Sequence, residues 1–325
     1  MSIRICFIGA GGIAGSHRAS LSKIDDAEIV GIFDVDSAQA EKVASEEGAT
    51  SYSDYRIMLD EAKPDACYIC IPPFAHEGQE LECIQRNIPF FVEKPVHLDL
   101  EKAQEISEKV KEKNLVTSTG YVLRYYDIVE KARRFLSDKT IGLVQGRYFG
   151  GVPSEGKKKW LITRAMSGGQ LVEQATHIVD MMRYLSGEIV SVFSLKFAGV
   201  NARFYPGYDV EDLSVSSFTF ASGALGALSC TWLSSGYQSG IDIVGKNFLL
   251  SLFGNRLEIS EGQKQEIWTS ASEIGVNENK IFLEAVAKKD PSLPKSPYAD
   301  AVKTLAITFA AQRSWDEGRV VVPEI

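Results

Sequence analysis

Residues 3–15 read IRICFIGAGGIAG, and this stretch decides the fold of the first half of the chain. Residues 3–8 form a short, almost continuous apolar run, which is typical of a strand buried on both faces of a parallel sheet. Glycines at 9, 11, 12 and 15 follow, and apolar residues then recur at helical spacing from 13 to 23. The pattern predicts a strand, a tight glycine turn and a helix.

The alternation of strand and helix continues to about residue 120. Further strands are predicted at 28–33, 66–71, 89–92 and 115–119, and helices at 37–46, 76–86 and 99–113. Ser37 is a plausible N-cap of the first of these helices. Strands that alternate with helices need crossover connections, so the first half is predicted to be α/β, a doubly wound parallel sheet of the Rossmann type.

The second half has a different pattern. A helix near 126–136, a strand near 143–149 and a helix near 169–185 precede predicted strands at 189–198, 213–221, 224–233 and 238–252. Successive strands joined by short glycine-containing turns indicate a large, mostly antiparallel open sheet, hence an α+β domain. We therefore predict a dinucleotide-binding domain at 1–121 and a substrate-binding and oligomerisation domain at 122–325, with a closing helix at 298–315 that packs on either domain.

Composition narrows the class of protein. The chain has 325 residues, of which 45% are hydrophobic and 24% charged, as in soluble globular proteins of two domains. A formal net charge of -8 argues against a nucleic-acid partner. No apolar run reaches the length of about 18 residues needed to cross a bilayer, which argues against a membrane partner. Few cysteines, lodged in apolar segments, favour a reduced, cytoplasmic location.

The glycine turn predicts a dinucleotide site. Gly9 permits the tight turn, Gly11 lets the backbone approach a pyrophosphate, and Ala14 permits close contact between helix and strand. The first amides of the helix then face the phosphates. Asp34 ends the second strand about 20 residues further on, where a carboxylate accepts ribose hydroxyls and repels a 2′-phosphate. NAD is therefore favoured over NADP.

Two further motifs carry candidate catalytic groups. Glu93-Lys94-Pro95 follows a strand at its carboxyl end, where Lys94 can donate hydrogen bonds to a substrate oxygen. Glu173 and His177 are four residues apart and share one face of the predicted helix. His177 is the natural proton acceptor, and a carboxylate beside it would orient the ring. Taken singly, each motif also fits a purely structural role. Lys94-Pro95 would then only end a strand, and Glu173 and His177 would be a pair on the surface of an amphipathic helix.

Together these residues resemble the glucose–fructose oxidoreductase / inositol dehydrogenase / MocA family over essentially the whole chain. Four segments carry the resemblance, at 5–15 (ICFIGAGGIAG), 68–76 (YICIPPFAH), 91–96 (FVEKPV) and 168–180 (GGQLVEQATHIVD). The resemblance implies that Lys94 touches both the nicotinamide ribose and the substrate oxygen, and that His177 takes the hydroxyl proton. Glu173 stands where many members have Asp, which keeps the charge and adds a methylene.

The resemblance also implies the remaining residues of the expected site, and it implies no metal ion there. Cofactor-binding residues are then Gly9, Gly11, Gly12, Ile13, Ala14, Asp34, Ile71, Pro72, Pro73, His76, Glu93 and Lys94. Candidates for the substrate pocket, besides Lys94, Glu173 and His177, are Tyr121, Arg124, Trp160 and Arg164.

The function expected from this reading is hydride transfer between a nicotinamide cofactor and a secondary alcohol or ketone of a sugar, cyclitol or related polyol. Family members commonly form dimers or tetramers through the second-domain sheet, so a homo-oligomer is expected. Two alternatives stay open on the same fold. One is an NAD-responsive regulator without catalysis, and the other is a glycoside hydrolase that uses NAD transiently.

Overall fold

The computed structural model describes residues 2–324, beginning with a six-stranded parallel sheet in the order β3-β2-β1-β4-β5-β6. The strands are β1 Ile3–Ile8, β2 Ala27–Phe33, β3 Thr50–Tyr52, β4 Ala66–Ile69, β5 Phe90–Val92 and β6 Thr117–Thr119. Every neighbouring pair runs parallel, so all carboxyl ends lie at one edge. The predicted doubly wound sheet is confirmed.

Helices connect these strands. They are α1 Gly12–Leu21, α2 Ser37–Glu47, α3 Tyr55–Ala62, α4 Gln79–Gln85 and α5 Leu100–Glu112. The sequence analysis missed β3 and α3, because a three-residue strand carries no measurable alternation. Helix α4 begins three residues later than predicted, because Pro73–Ala75 forms a short 3-10 turn first.

The N-cap of α2 is Asp36, so the prediction of Ser37 was wrong. Asp36 has extended backbone angles, and its carboxylate accepts a hydrogen bond from the amide of Gln39 at 3.2 Å. Ser37 is instead the first residue of the helix. A carboxylate and a hydroxyl are equally good caps, and the sequence alone does not tell which of two adjacent residues leaves the helix.

The second unit is built on an eight-stranded sheet in the order β14-β13-β12-β11-β7-β10-β9-β8. Its strands are β7 Ile141–Gly151, β8 Ile189–Phe197, β9 Leu213–Phe220, β10 Leu225–Thr231, β11 Leu233–Gly245, β12 Phe248–Phe253, β13 Arg256–Glu261 and β14 Lys264–Thr269. Only β7 and β10 pair in parallel, which confirms a mostly antiparallel sheet. The single strand predicted at 238–252 is a hairpin of β11 and β12, turning at Asn247 with a positive φ of 67°.

Helices of the second unit are α6 Asp127–Leu136, α7 Arg164–Ser167, α8 Gln170–Glu173 and α9 Thr176–Ser186. Side chains of β9 alternate between the two faces of the sheet. Phe218 and Phe220 are buried on one face, whereas Val215 and Ser217 are exposed on the other.

The division into units differs from the predicted one at 1–121 and 122–325. The first unit comprises the described residues up to Tyr125 together with Glu273–Val302, and the second comprises Tyr126–Ser272 and the residues from Lys303 onward. Glu273–Val302 contains α10 Ile274–Lys288, a helix that the sequence analysis missed. Its Phe282 packs against Tyr68 and Phe91 of the parallel sheet, which explains why this segment joins the first unit. The last helix, α11 Tyr298–Glu317, contributes residues to both units.

We predict that Asp36→Ala lowers the free energy of unfolding by about 1 kcal/mol, because the first turn of α2 loses its capping carboxylate. Ser37→Ala is the matched control and should change it by less than about 0.5 kcal/mol. Urea unfolding of both variants checks this. A larger loss for Ser37→Ala than for Asp36→Ala would contradict the assignment of the cap.

Candidate functional site

The glycine turn between β1 and α1 has the geometry of a phosphate cradle. Gly9 has a φ of +97°, and a Cβ there would stand 2.4 Å from the carbonyl oxygen of Cys70. Only glycine permits this approach between the ends of β1 and β4. At Gly11 and Gly12 an added Cβ would meet nothing within 4 Å, so space is open above the helix start. The Ala14 side chain is fully buried, as close packing of helix on strand requires.

Asp34 directly follows β2 and braces this turn. Its Oδ2 accepts a hydrogen bond from the amide of Ala10 at 2.7 Å, and its Oδ1 accepts one from the amide of Asp36 at 2.9 Å. Gln39 donates to the carbonyl of Ala10 at 2.9 Å. A carboxylate has about four lone-pair positions, so Asp34 keeps acceptor capacity for hydroxyl donors.

A groove of about 590 Å³ lies at this edge of the sheet. It is lined by the predicted cofactor residues Gly9, Gly11, Asp34, Ile71 and Pro72. Tyr55, Phe74 and Val35 also line it, and the sequence analysis did not find them. Val35 follows Asp34 and is 95% exposed, so that its apolar side chain faces the groove without a partner in the described part of the fold. The open turn, the carboxylate and the apolar walls fit a dinucleotide.

Three other predicted cofactor residues are placed differently. Ile13 is the second residue of α1, beside the turn, and is 47% exposed. Pro73 is buried in the 3-10 turn after β4, and the ring of His76 is buried against Glu80, with Nδ1 and Oε1 2.5 Å apart. Burial raises the pKa of Glu80, but the electrostatic interaction and hydrogen bond with His76, together with a backbone hydrogen bond, leave this pKa below its ordinary value. The contacts of these residues with a cofactor remain predictions.

The Glu93-Lys94-Pro95 turn follows β5 at the same edge. Glu93 is buried, and its Oε1 lies 3.0 Å from Nε2 of His17 in α1. Its Oε2 accepts a hydrogen bond from the amide of Lys94 at 3.2 Å. Burial, followed by the charge of Glu93, raises the pKa of Glu278 well above its ordinary value. Lys94 itself is half-buried.

Tyr121 and Arg124 were predicted to face the substrate, and the structure places both in the interior of the first unit. The Tyr121 side chain is buried, and the Arg124 guanidinium lies 5.9 Å from its ring centroid. Arg124 also pairs with Asp300 at 2.5 Å and donates to the carbonyl of Lys295. These contacts fix the chain at the predicted domain boundary, while any contact with substrate remains a prediction.

In the second unit, Glu173 and His177 do not share one continuous helix, so this prediction was wrong. Helix α8 ends at Glu173 and α9 begins at Thr176, with a two-residue turn at Gln174 and Ala175. Tyr148 from β7 donates a hydrogen bond to Oε1 of Gln174 at 2.7 Å. The side-chain amide of Gln174 then donates a hydrogen bond to the carboxylate of Glu173. A tertiary contact therefore replaces the regular helix at this point. Glu173 is buried and His177 half-buried.

Arg164 and Trp160 lie before the glycine pair. Arg164 pairs with the buried carboxylate of Glu211 at 2.8 Å, and Glu211 also accepts the amide of Leu171 at 3.0 Å. Burial raises the pKa of Glu211, although these two donors favour its charged form. Gly169 is required here, since its φ is +93° and a Cβ would stand 2.5 Å from Glu211.

Trp160 is half-buried in a 3-10 turn. Substrate contacts of Trp160 and Arg164 remain predictions.

Within residues 2–324 there is no helix long and apolar enough to cross a bilayer. The same part of the chain holds no group of three or more histidine, cysteine, aspartate or glutamate residues arranged to bind a metal ion.

Comparisons with known proteins match both halves of the chain. A family model described as an oxidoreductase family with an NAD-binding Rossmann fold matches residues 3–121, and the GFO/IDH/MocA C-terminal domain matches residues 129–250. The chain is 26% identical over 341 residues to a myo-inositol 2-dehydrogenase of Thermotoga maritima, covering 98% of each. It is 28% identical over 251 residues to the scyllo-inositol 2-dehydrogenase (NAD(+)) of Bacillus subtilis, covering 75% of this chain and 71% of that protein.

Solved structures share the fold. A levoglucosan dehydrogenase in complex with NADH and levoglucosan matches with a TM-score of 0.92 over 100% of both chains, at 19% identity. A WlbA dehydrogenase from Bordetella pertussis in complex with NADH and UDP-GlcNAcA matches with a TM-score of 0.84 over 100% of both chains, at 20% identity.

We predict that Asp34→Ala lowers the preference for NAD over NADP roughly tenfold, because a hydrogen bond to a charged group contributes about 1.5–3 kcal/mol. Affinity for both cofactors should also fall, since the Ala10 amide loses its acceptor, so the ratio of the two dissociation constants is the informative quantity. Titration with each reduced cofactor measures it. Asp36→Ala, which removes the neighbouring carboxylate, is the control, and an unchanged ratio in Asp34→Ala would exclude Asp34 as the ribose-binding residue.

Proposed function

The chain belongs to the GFO/IDH/MocA oxidoreductase family, and from that premise we propose that it interconverts a secondary alcohol and a ketone on a sugar, cyclitol or related polyol. The family resemblance in the sequence and the choice of NAD as cofactor are confirmed. The protein is an NAD-dependent dehydrogenase that acts on CH–OH groups. The substrate class and the role of each residue are our proposal.

One observation carries the proposal. Gly9, Asp34 and Lys94 follow β1, β2 and β5, and parallel strands place all three at the same edge of one sheet. Ligands of open α/β sheets bind at this edge. The relatives named inositol dehydrogenases support a polyol substrate, whose ring carries secondary alcohols at several carbons.

Lys94 and His177 divide the chemistry in this proposal. NAD, when bound, supplies the carbon that accepts or returns the hydride. The Lys94 ammonium donates a hydrogen bond to the substrate oxygen and stabilises the negative charge that develops there. His177 takes the hydroxyl proton during oxidation and returns it during reduction, which is typically worth about 10²–10⁴-fold.

Glu173 orients His177 in this proposal, although it is longer than the Asp of many relatives. Support comes from the Tyr148–Gln174 contact, because Gln174 holds the Glu173 carboxylate in a fixed position. A carboxylate that is held in place can stabilise an imidazolium without losing side-chain entropy during the reaction.

A substrate screen tests the proposed function. Sugars, inositols, sugar acids and their keto forms are incubated with NAD(H) and NADP(H), and the change in NADH absorbance is followed. We expect at least one polyol to reduce NAD. Release of a free sugar without net formation of NADH would favour the glycoside hydrolase instead, and NADH binding without any turnover would favour the regulator.

We predict that Lys94→Ala and His177→Ala each lower kcat by at least about 100-fold, because each removes a group that acts on the reacting oxygen. NADH binding, measured by fluorescence titration, should stay nearly unchanged. Lys113→Ala, which removes an exposed lysine of the first unit, is the control and should retain full turnover. Unchanged kcat in both active-site variants would remove the assignment.

We also propose that the protein is a homo-oligomer that pairs the exposed faces of its eight-stranded sheets. Support comes from Leu195 and Val215, which are paired across β8 and β9 and are 58% and 48% exposed. Phe197, two residues after Leu195 on β8, is 50% exposed, and Leu225, which pairs with Thr219 across β9 and β10, is 58% exposed. Exposed apolar side chains grouped on one sheet are typical of an interaction surface.

We predict that Leu195→Asp combined with Val215→Asp dissociates this oligomer, because it buries two charges at the pairing surface. Light scattering after size-exclusion chromatography gives the mass. Ile57→Asp, at an apolar residue of α3 that is 50% exposed, is the matched control and should leave the mass unchanged. A wild-type protein that elutes as a monomer would contradict the proposal.

A further inference from the structure

A buried network connects α1 with the turn that carries Lys94. His17, Glu93 and Asn279 are 5%, 8% and 0% exposed. Nε2 of His17 lies 3.0 Å from Oε1 of Glu93, and because a carboxylate accepts only, Nε2 carries a proton and donates this hydrogen bond. Nδ1 of His17 faces the side-chain amide of Asn279, at 3.1 Å from Nδ2 and 3.2 Å from Oδ1. Asn279 is itself held by the carbonyl of Gly275 at 2.7 Å. All four residues belong to the first unit.

Two aromatic rings pack against the buried His17 ring. Its centroid lies 4.6 Å from that of Phe91 in an edge-to-face contact and 5.4 Å from that of Tyr68. Gly120 closes the other side of the network, because a Cβ at this residue would stand 2.7 Å from Oε1 of Glu93. The Glu93 carboxylate therefore occupies a fitted space, and His17 is its ring donor.

The second carboxylate oxygen of Glu93 reaches the backbone of the following residue. Oε2 accepts the amide proton of Lys94 at 3.2 Å, so the carboxylate fixes the point from which the Lys94 side chain extends. Without His17, the buried Glu93 carboxylate would lose a charge-assisted hydrogen bond. Glu93 would then be able to adopt other rotamers, which weakens its hold on the Lys94 amide.

We propose that His17 is a positioning residue that acts through Glu93 to set the place of Lys94. The proposal rests on the proposed function only in that Lys94 acts on the substrate. Helix α1, which begins at the glycine turn, would then also order Lys94 through His17 and Glu93.

Hydrogen exchange tests the structural half of this proposal without substrate or cofactor. Peptides that contain Lys94 are followed by mass spectrometry in the wild type, His17→Ala, His17→Gln and Leu21→Ala. We expect roughly tenfold faster exchange at the Lys94 amide in His17→Ala and partial protection in His17→Gln, which keeps an amide donor. Leu21→Ala shortens a buried side chain of the same helix without touching the network, and it should leave this amide protected.

A double-mutant cycle tests the functional half, using the panel compound that the wild type turns over fastest. His17→Ala should lower kcat roughly 10- to 100-fold, as expected for a misplaced catalytic group, with NADH affinity within about threefold of the wild type. In a Lys94→Ala background the same change should lower kcat by less than about twofold, because its target is gone. Leu21→Ala should change kcat by the same factor in the wild-type and in the Lys94→Ala background.

The outcomes separate the two proposals. If His17→Ala lowers kcat by the same factor with and without Lys94, or leaves the Lys94 amide protected, His17 is not a positioning residue and the proposed function stands. If Lys94→Ala retains wild-type turnover, the proposed function fails, and this inference fails with it. Should His17→Ala not fold, His17→Gln and Asn279→Leu run through the same cycle, and equal factors in both backgrounds would again overturn the proposal.

Discussion

The hydrogen bond between His17 and Glu93 connects two separate parts of the first unit. It joins helix α1, which follows β1, to the turn after β5, although β4 lies between these strands in the sheet. Rings of Phe7, Tyr68 and Phe91 stack across the three strands at centroid distances of 4.9 and 5.1 Å, directly beneath the histidine. The aromatic stack packs across the three strands on one face of the sheet, and the buried pair links α1 to the Glu93-Lys94-Pro95 turn at their carboxyl ends.

Three buried carboxylates, found in both units, have donors of their own. Glu93 has an imidazole and a backbone amide, Glu173 has the side-chain amide of Gln174, and Glu211 has the Leu171 backbone amide and Arg164. Removing one partner of a buried charge typically costs about 3–5 kcal/mol. Such groups are therefore kept in one position, as a site that transfers a proton and a hydride requires. The stability of this chain and the order of its candidate site depend on the same contacts.

The sequence predicted those features that are expressed locally. The apolar run at 3–8, the glycine turn, Asp34 and the long amphipathic helix α5 each carry their pattern within a few consecutive residues, and all lie where they were predicted. The segments that were missed depend on distant contacts. Helix α10 joins the first unit through Phe282, and its periodicity does not reveal this. The turn at Gln174 interrupts a good helical pattern because Tyr148, 26 residues earlier in the chain, holds it. The role of His17 depends on partners 76 and 262 residues away.

Transfer of the label from a deuterated substrate tests the central claim most directly. Sugars and inositols that carry deuterium at their CH–OH carbons are incubated with the protein and NAD, and the recovered NADH is examined by NMR at C4 of the nicotinamide ring. Our account predicts that the compound that is oxidised delivers its deuterium to this carbon, on one face only. NADH that forms without the label, or a product that forms while NAD stays oxidised and unlabelled, would contradict direct hydride transfer.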